Sequence, residues 1–196
     1  MSIKKVRVIM MIIIVIIAIV AVGLYRQHQH RLSVIATTKS PSINTDNQPQ
    51  LGNPHSPINV VVFEDLKCMM CRVYNVDLYP TIKKRYIDTN KINYTVINLA
   101  FIPGSINAAS TARCLYQQKP DYFFQFVDYI YHHQGLESED WTTTSNMLHA
   151  AATIKGIDPI SLGVCVTTGQ NNHLINNNMK LARKIMGDTI RTPSVY

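Results

Sequence analysis

The stretch Val60 to Cys71, VVVFEDLKCMMC, constrains the fold of this chain more than any other. Its apolar, β-branched start reads as a buried strand, and an acidic turn then delivers Cys68 and Cys71 two residues apart. Past the second cysteine, Val73, Val76, Tyr79 and Ile82 recur at helical spacing, which predicts a helix from about Cys71 to Tyr86, kinked by Pro80. The cysteine pair therefore sits where a strand hands over to a helix N-terminus. Unpaired N–H groups and the positive end of the helix dipole stabilise a thiolate there.

The chain has 196 residues, enough for one ordinary core. Lys4, Lys5 and Arg7 precede an uncharged apolar run, Val8 to Leu24, which at 17 residues is at the short limit for a membrane-spanning helix. Ala21 and Gly23 also suit a signal-peptidase site. A retained N-terminal transmembrane helix over residues 1–25 is preferred to a cleaved signal, because Tyr25, Arg26 and the apolar Leu32 to Ile35 make a poor mature terminus. Either reading exports the remainder, and the basic N-terminal flank keeps that end in the cytoplasm. All four cysteines are then expected in a periplasm-like, extracytoplasmic space. Setting aside those three basic residues leaves 16 against 12 acids, with no basic run of the kind that nucleic acid requires.

Residues 26–57 shift to Gln, His, Ser, Thr, Asn and Pro without a sustained period and read as a flexible linker. Residues 58–104 give strand, helix and a second strand, Ile92 to Leu99, which predicts a parallel β-α-β unit. Residues 105–187 hold helical patterns at Ile106–Gln118, Tyr122–His133, Thr143–Lys155, Ile160–Thr168 and Asn171–Met186, bounded by Gly and Pro signals. A helical block is thus inserted into an α/β unit. Residues 188–196 add a Thr192-Pro193 step that opens a last apolar strand. The aromatic residues from Tyr122 to Tyr131, and Trp141, are expected to pack in the core or at its rim.

An exported C-x-x-C pair serves as a redox disulfide, as half of a zinc site or as a structural bridge. Zinc takes four ligands, usually from two close pairs, whereas Cys114 and Cys165 each stand alone and His132-His133 has no accompanying pattern, so no metal is assigned. A bridge across two residues constrains little of the unfolded chain. Redox use is the leading reading, with Cys68 and Cys71 as the catalytic pair and no cofactor implied. The competing reading is a non-catalytic binding module in which the pair merely bridges.

Phe63-x-Asp65-x-x-Cys68-x-x-Cys71, the helical insertion with its stretches Ala108–Gln118 and Pro159–Met186, and Thr192-Pro193 together resemble the DsbA-like thiol:disulfide oxidoreductases of the thioredoxin superfamily. The resemblance covers Ile58 to Tyr196. It implies a thioredoxin-like α/β fold with an inserted helical domain, and a protein that exchanges disulfides with exported thiol or disulfide substrates and is recycled by a redox partner. Cys68 would form the mixed disulfide and Cys71 would resolve it. Thr192, Pro193 (as a cis-proline loop), Met69 and Met70 would meet substrate, and Lys67 would add positive potential beside Cys68. Members with a second disulfide in the helical domain suggest a Cys114–Cys165 pair, which an oxidising compartment favours over two separately buried thiols.

Departures from the pattern carry expectations of their own. Met69-Met70 stands where many members carry Pro-His or Pro-Tyr, so the Cys68 thiolate should be less stabilised and the couple less oxidising than in the strongest oxidants. The methionines equally suit a soft apolar platform. Val62 replaces a frequent acid and Glu64 falls on the other strand face, which leaves no assigned proton carrier. Only Ser194, Val195 and Tyr196 follow Pro193, so the C-terminal part of the sheet is expected to be missing. The expected consequences are an unpaired edge on the strand Val60–Phe63, an uncovered face and poor stability.

Overall fold

Two seven-residue strands built around Val60–Phe63 and Tyr94–Ile97 form the centre of a four-stranded sheet in the computed structural model, which describes residues 10–27, except 12 and 15, and 42–196. These described residues fall in two units, one within Met1–Pro41 and one spanning Ser42–Tyr196. In the first, the described part of residues 10–27 is helical and apolar, with Ile13, Ile17, Ile19 and Leu24 exposed. Among the described residues no helix is long and apolar enough to cross a membrane. Val8, Ile9, Ile12 and Val15 of the expected span lie outside the described residues, as do residues 28–41 of the expected linker.

In the second unit the strands are β1 (Gln50–Gly52), β2 (Asn59–Asp65), β3 (Asn93–Leu99) and β4 (Ser194–Val195), in the spatial order β1-β3-β2-β4. β2 and β3 run parallel, with Asn59 opposite Asn93 and Asp65 opposite Leu99. The crossover between them is helix α1, residues 69–87. It is α-helical over Met69–Val73 and Tyr79–Ile82 and widened into π turns over Tyr74–Leu78 and Lys83–Ile87. Pro80 has no N–H and crowds the carbonyl of the preceding turn, which accounts for the first widening. The insertion supplies α2 (Ile106–Gln118), α3 (Pro120–His132), α4 (Thr144–Ala151), α5 (Pro159–Thr167) and α6 (Asn172–Met186). Their starts follow local chemistry: Pro120 and Pro159 stand in first turns, Asp158 accepts from the N–H groups of Ile160 and Ser161, and Thr143 accepts from that of Asn146.

Both faces of the sheet are covered. Val62, Leu66, Tyr94 and Val96 join α1 and helices α2 to α5 in the larger core. Val61, Phe63, Ile97 and Leu99 pack on the opposite face against Met179 and Ala182 of α6, with Ile43 and Tyr196 at the margin. The period-two alternation of β2 thus feeds two cores.

Two sequence expectations are corrected here. The linker does not reach Pro57, because β1 pairs antiparallel with β3, Val96 N–H donates to Pro49 O at 2.9 Å and Asn53 N–H donates to Ile92 O at 3.0 Å. Gly52 has φ +88°, and a Cβ there would lie 2.3 Å from Ile92 O, so the edge strand turns off the sheet where only glycine fits. The expected bare edge and face are also filled. β4 pairs antiparallel with Val62 and Phe63, Val61 and Tyr196 exchange backbone hydrogen bonds at 3.0 and 2.9 Å, and the Tyr196 ring meets Phe63 edge-on at 5.8 Å. Ser194 to Tyr196 pair along the edge of β2, and α6 covers the face.

Candidate active site

Cys68 is the N-cap of α1 and Cys71 lies in its first turn. A helix rises only ~1.5 Å per residue, so this spacing brings the two sulfurs to one helix end at different depths. Cys68 is 7% exposed and Cys71 is fully buried, while Met69 and Met70 between them are 48% and 58% exposed. Both thiols are free.

Their environments push the two sulfurs apart. The hydrogen bond from the Cys71 thiol lowers the Cys68 pKa to about 6, against the opposing effect of burial. The Thr192 side chain and the N–H groups of Cys71 and Met70 lower it further. The Thr192 hydroxyl is buried without another partner, and the Thr192 carbonyl stands 3.5 Å from Cys68 Sγ. The Thr192-Pro193 peptide is cis, which places that backbone beside the sulfur. Burial raises the Cys71 thiol far above its ordinary range, and the neighbouring Cys68 and Glu64 raise it further.

The two acids that end β2 have opposite fates. Asp65 is fully buried and saturated: Oδ1 accepts the Lys67 N–H at 2.9 Å, and Oδ2 accepts Phe101 N–H, Ile102 N–H and Ser105 Oγ at 3.0, 3.1 and 2.9 Å. It locks the strand end to the turn after β3. Glu64 is 1% exposed; its Oε2 accepts Asn75 Nδ2 at 2.8 Å and its Oε1 has no hydrogen-bond partner. Burial raises its pKa to about 7. Asn75 Nδ2 also donates to Cys71 O at 3.0 Å, which ties the carboxyl to the helix that carries the buried thiol. Glu64 lines a small cavity of about 20 Å³ with Asn75, Tyr79, Tyr94, Asp128 and Tyr131. The expectation that Glu64 falls on the other strand face, with no proton carrier assigned, is therefore corrected. Glu64 shares the strand face of Val62, and that face looks toward α1.

Lys67 also departs from expectation. It is buried, and its Nζ turns to the carbonyls of Pro103 and Glu139 at 2.8 and 2.9 Å, so its ammonium ties two loops together. Residues that sequence reasoning missed come from the connection between α3 and α4. Gln134 Nε2 donates to Leu66 O and Cys68 O at 2.8 and 3.2 Å, and Glu137 Oε1 accepts the Met69 N–H at 2.7 Å. No local signal announces them, because they meet α1 from nearly seventy residues away. Cys114 on α2 and Cys165 on α5 form a disulfide with an S–S distance of 2.04 Å, across 51 residues of sequence.

The sequence profile of the family described as Thioredoxin matches residues 44–196. Among curated relatives, disulfide bond formation protein D of Bacillus subtilis is 32% identical over 128 residues, 65% of this chain and 57% of that protein. A probable disulfide bond formation protein D of Bacillus cereus is 37% identical over 102 residues, 52% of this chain and 47% of that protein. A putative protein-disulfide oxidoreductase of Rickettsia typhi is 30% identical over 173 residues, 86% of this chain and 61% of that protein. The chain thus spans about half the length of the curated relatives it matches. Among solved structures, oxidised BdbD from Bacillus subtilis superposes with a TM-score of 0.72 at 27% identity, covering 79% of this chain and 83% of that one. Chlamydia trachomatis DsbA superposes with a TM-score of 0.71 at 26% identity, covering 78% and 82%. With the matched profile spanning most of its length, and with strand, C-x-x-C helix and cis-proline loop in one site, the chain belongs to the thioredoxin family as a DsbA-like member.

Proposed function

We propose that this chain is a thiol:disulfide oxidoreductase that exchanges disulfides with exported proteins through its Cys68-Met69-Met70-Cys71 site. The observation that carries the reading is the asymmetry of the pair: Cys68 caps the helix beside the Thr192 carbonyl, with its pKa lowered to about 6, and Cys71 lies fully buried in the first turn, with its pKa raised. The attacking species in exchange is the thiolate, and the better leaving group is the thiol of lower pKa. Cys68 meets both needs. When the site is oxidised, a substrate thiolate attacks Cys68 Sγ and the Cys68–Cys71 bond breaks, which leaves a mixed disulfide on Cys68 and a reduced Cys71. In the reverse direction deprotonated Cys71 attacks Cys68 Sγ of the mixed disulfide, which re-forms the Cys68–Cys71 bond and releases the substrate thiolate. Glu64, beside Cys71 and titrating near neutrality, is suited to take and return that proton.

Met69 and Met70 offer a polarisable apolar surface, and the Thr192 backbone lies where an extended substrate strand would run. A Cys68 pKa of about 6 falls within the range of roughly 3.5–7 that such motifs span, well short of its acid end, which supports a couple less oxidising than the strongest oxidants. Export rests on the basic Lys4, Lys5 and Arg7 followed by the apolar run to Leu24. We read that run as a membrane anchor that places the oxidoreductase domain outside the cytoplasm, where a separate redox partner recycles the pair.

Trapping tests this reading. Cys71→Ser should accumulate a mixed disulfide with substrate on Cys68, and Cys68→Ser should lose essentially all exchange with a disulfide-bonded peptide. Full exchange by the Cys68→Ser protein would refute the assignment and leave the pair a structural bridge.

A further inference from the structure

The connection between α3 and α4 belongs to the inserted helical block, yet its polar groups reach the start of α1. Gln134 holds the carbonyls of Leu66 and Cys68, and Lys67 holds the carbonyl of Glu139, so the connection is fixed against the C-x-x-C turn on two sides. Between those ties Glu137 Oε1 accepts the Met69 N–H at 2.7 Å. The first amides of α1 are divided as a result. The Met69 N–H goes to a carboxylate, while the N–H groups of Met70 and Cys71 favour the Cys68 sulfur.

We propose that Glu137 is a positioning residue for the redox couple: its carboxylate occupies the helix end that would otherwise serve the Cys68 thiolate alone, and so holds the couple less oxidising. The inference rests on the disulfide-exchange reading above. A helix end carries a limited positive potential, and two anions that share it repel each other. The reduced site carries a thiolate at Cys68 and the oxidised site carries no charge there, so Glu137 penalises only the reduced form.

Reduction by glutathione shows where the charge enters. Two glutathione thiols give two electrons and become one glutathione disulfide as the Cys68–Cys71 bond breaks. Of their two protons, one binds Cys71 and the other goes to solvent while Cys68 stays a thiolate. The other ionisable groups that interact with Cys68 include Glu64 from β2, Cys71 from α1 and Tyr131 from α3. Asp65 accepts the Lys67 N–H ahead of Cys68, whereas the Glu137 carboxylate accepts the Met69 N–H, the first amide of α1 after Cys68. Solvent around Glu137 screens it, so the effect is a few-fold change.

The test uses the full chain and two readouts: the pH midpoint of thiolate absorbance assigned to Cys68, and the equilibrium with glutathione. Glu137→Gln keeps an acceptor for the Met69 N–H and removes the charge. It should lower the Cys68 midpoint and shift the glutathione equilibrium toward the reduced protein, each by about threefold. Glu139→Gln removes the same charge from the same loop at a side chain that accepts the Leu136 N–H rather than an amide of α1, and should leave both readouts in place. A Glu137→Gln protein indistinguishable from wild type overturns the proposal, as does an equal shift in Glu139→Gln, which would mean bulk charge alone. Glu137→Ala, which removes charge and acceptor together, should shift both readouts at least as far; no shift in it also overturns the proposal. If wild type does not equilibrate with glutathione at all, the exchange reading fails, whereas the Cys68 midpoints still decide the role of Glu137.

Discussion

The two cysteine pairs of this chain use the same element for opposite ends. Cys114 and Cys165 lie 51 residues apart on neighbouring helices, both sulfurs are buried and bonded to each other, and Asn171 Nδ2 sits 3.4 and 3.2 Å from them. Cys68 and Cys71 are separated by two residues at a helix start, at unequal depth, with amide donors on one sulfur and a protonatable carboxyl beside the other. The first pair closes a long loop and so restricts the unfolded chain. The second closes almost none and stabilises little, but its surroundings distinguish the two thiols. On the function proposed above, the features that would make the second pair reactive are unequal surroundings and access to a proton, which the disulfide pair lacks.

Breaking the first pair should therefore cost stability and spare chemistry. Cys114→Ala with Cys165→Ala is expected to lower unfolding free energy by about 2–4 kcal/mol, from the length of the loop released. Exchange per folded molecule should be unchanged, as read by denaturant melts beside a peptide-disulfide assay. Loss of exchange at intact stability would show that the two pairs are coupled.

Glu64→Gln sharpens the comparison from the other side. Removing the proton acceptor should slow resolution by Cys71 by about 10²-fold at neutral pH. The same change should stabilise the fold. The native pKa of Glu64 is raised from 4.5 to about 7, so the penalty for its burial is absent below pH 4.5, grows as pH rises from there and is complete above pH 7. The Glu64→Gln protein should match wild type in acid and exceed it by on the order of 3 kcal/mol above pH 7. Thermal melts across that range give the answer, and a gain that is equal at all pH values would contradict the account.

Much of this site was legible in the sequence because it is local. Strand, acidic turn, C-x-x-C and helical spacing occupy about 25 consecutive residues, and each follows from side-chain pattern alone. The parallel pairing of β2 with β3 follows from the same stretch, since a helix between two strands returns the chain in the same direction. β1 escaped notice because Gln50–Gly52 is held by backbone hydrogen bonds at a sheet edge and buries no apolar alternation. Alternation itself puts Glu64 on the face of Val62, against the sequence expectation; what it does not say is that both faces are covered, and here α6 covers one while the helices around α1 seal the carboxyl into the other. Lys67 and Glu137 were out of reach, because each contact joins the start of α1 to a loop far away in sequence.

The central claim is the inequality of Cys68 and Cys71, and a thiol titration of the reduced protein tests it most directly. Thiolate absorbance and the alkylation rate of each cysteine, followed from pH 4 to pH 9, should show Cys68 ionising with a midpoint near 6 and Cys71 still protonated at the top of the range. Two thiols that both titrate near the free-cysteine value of ~8.5 would contradict it.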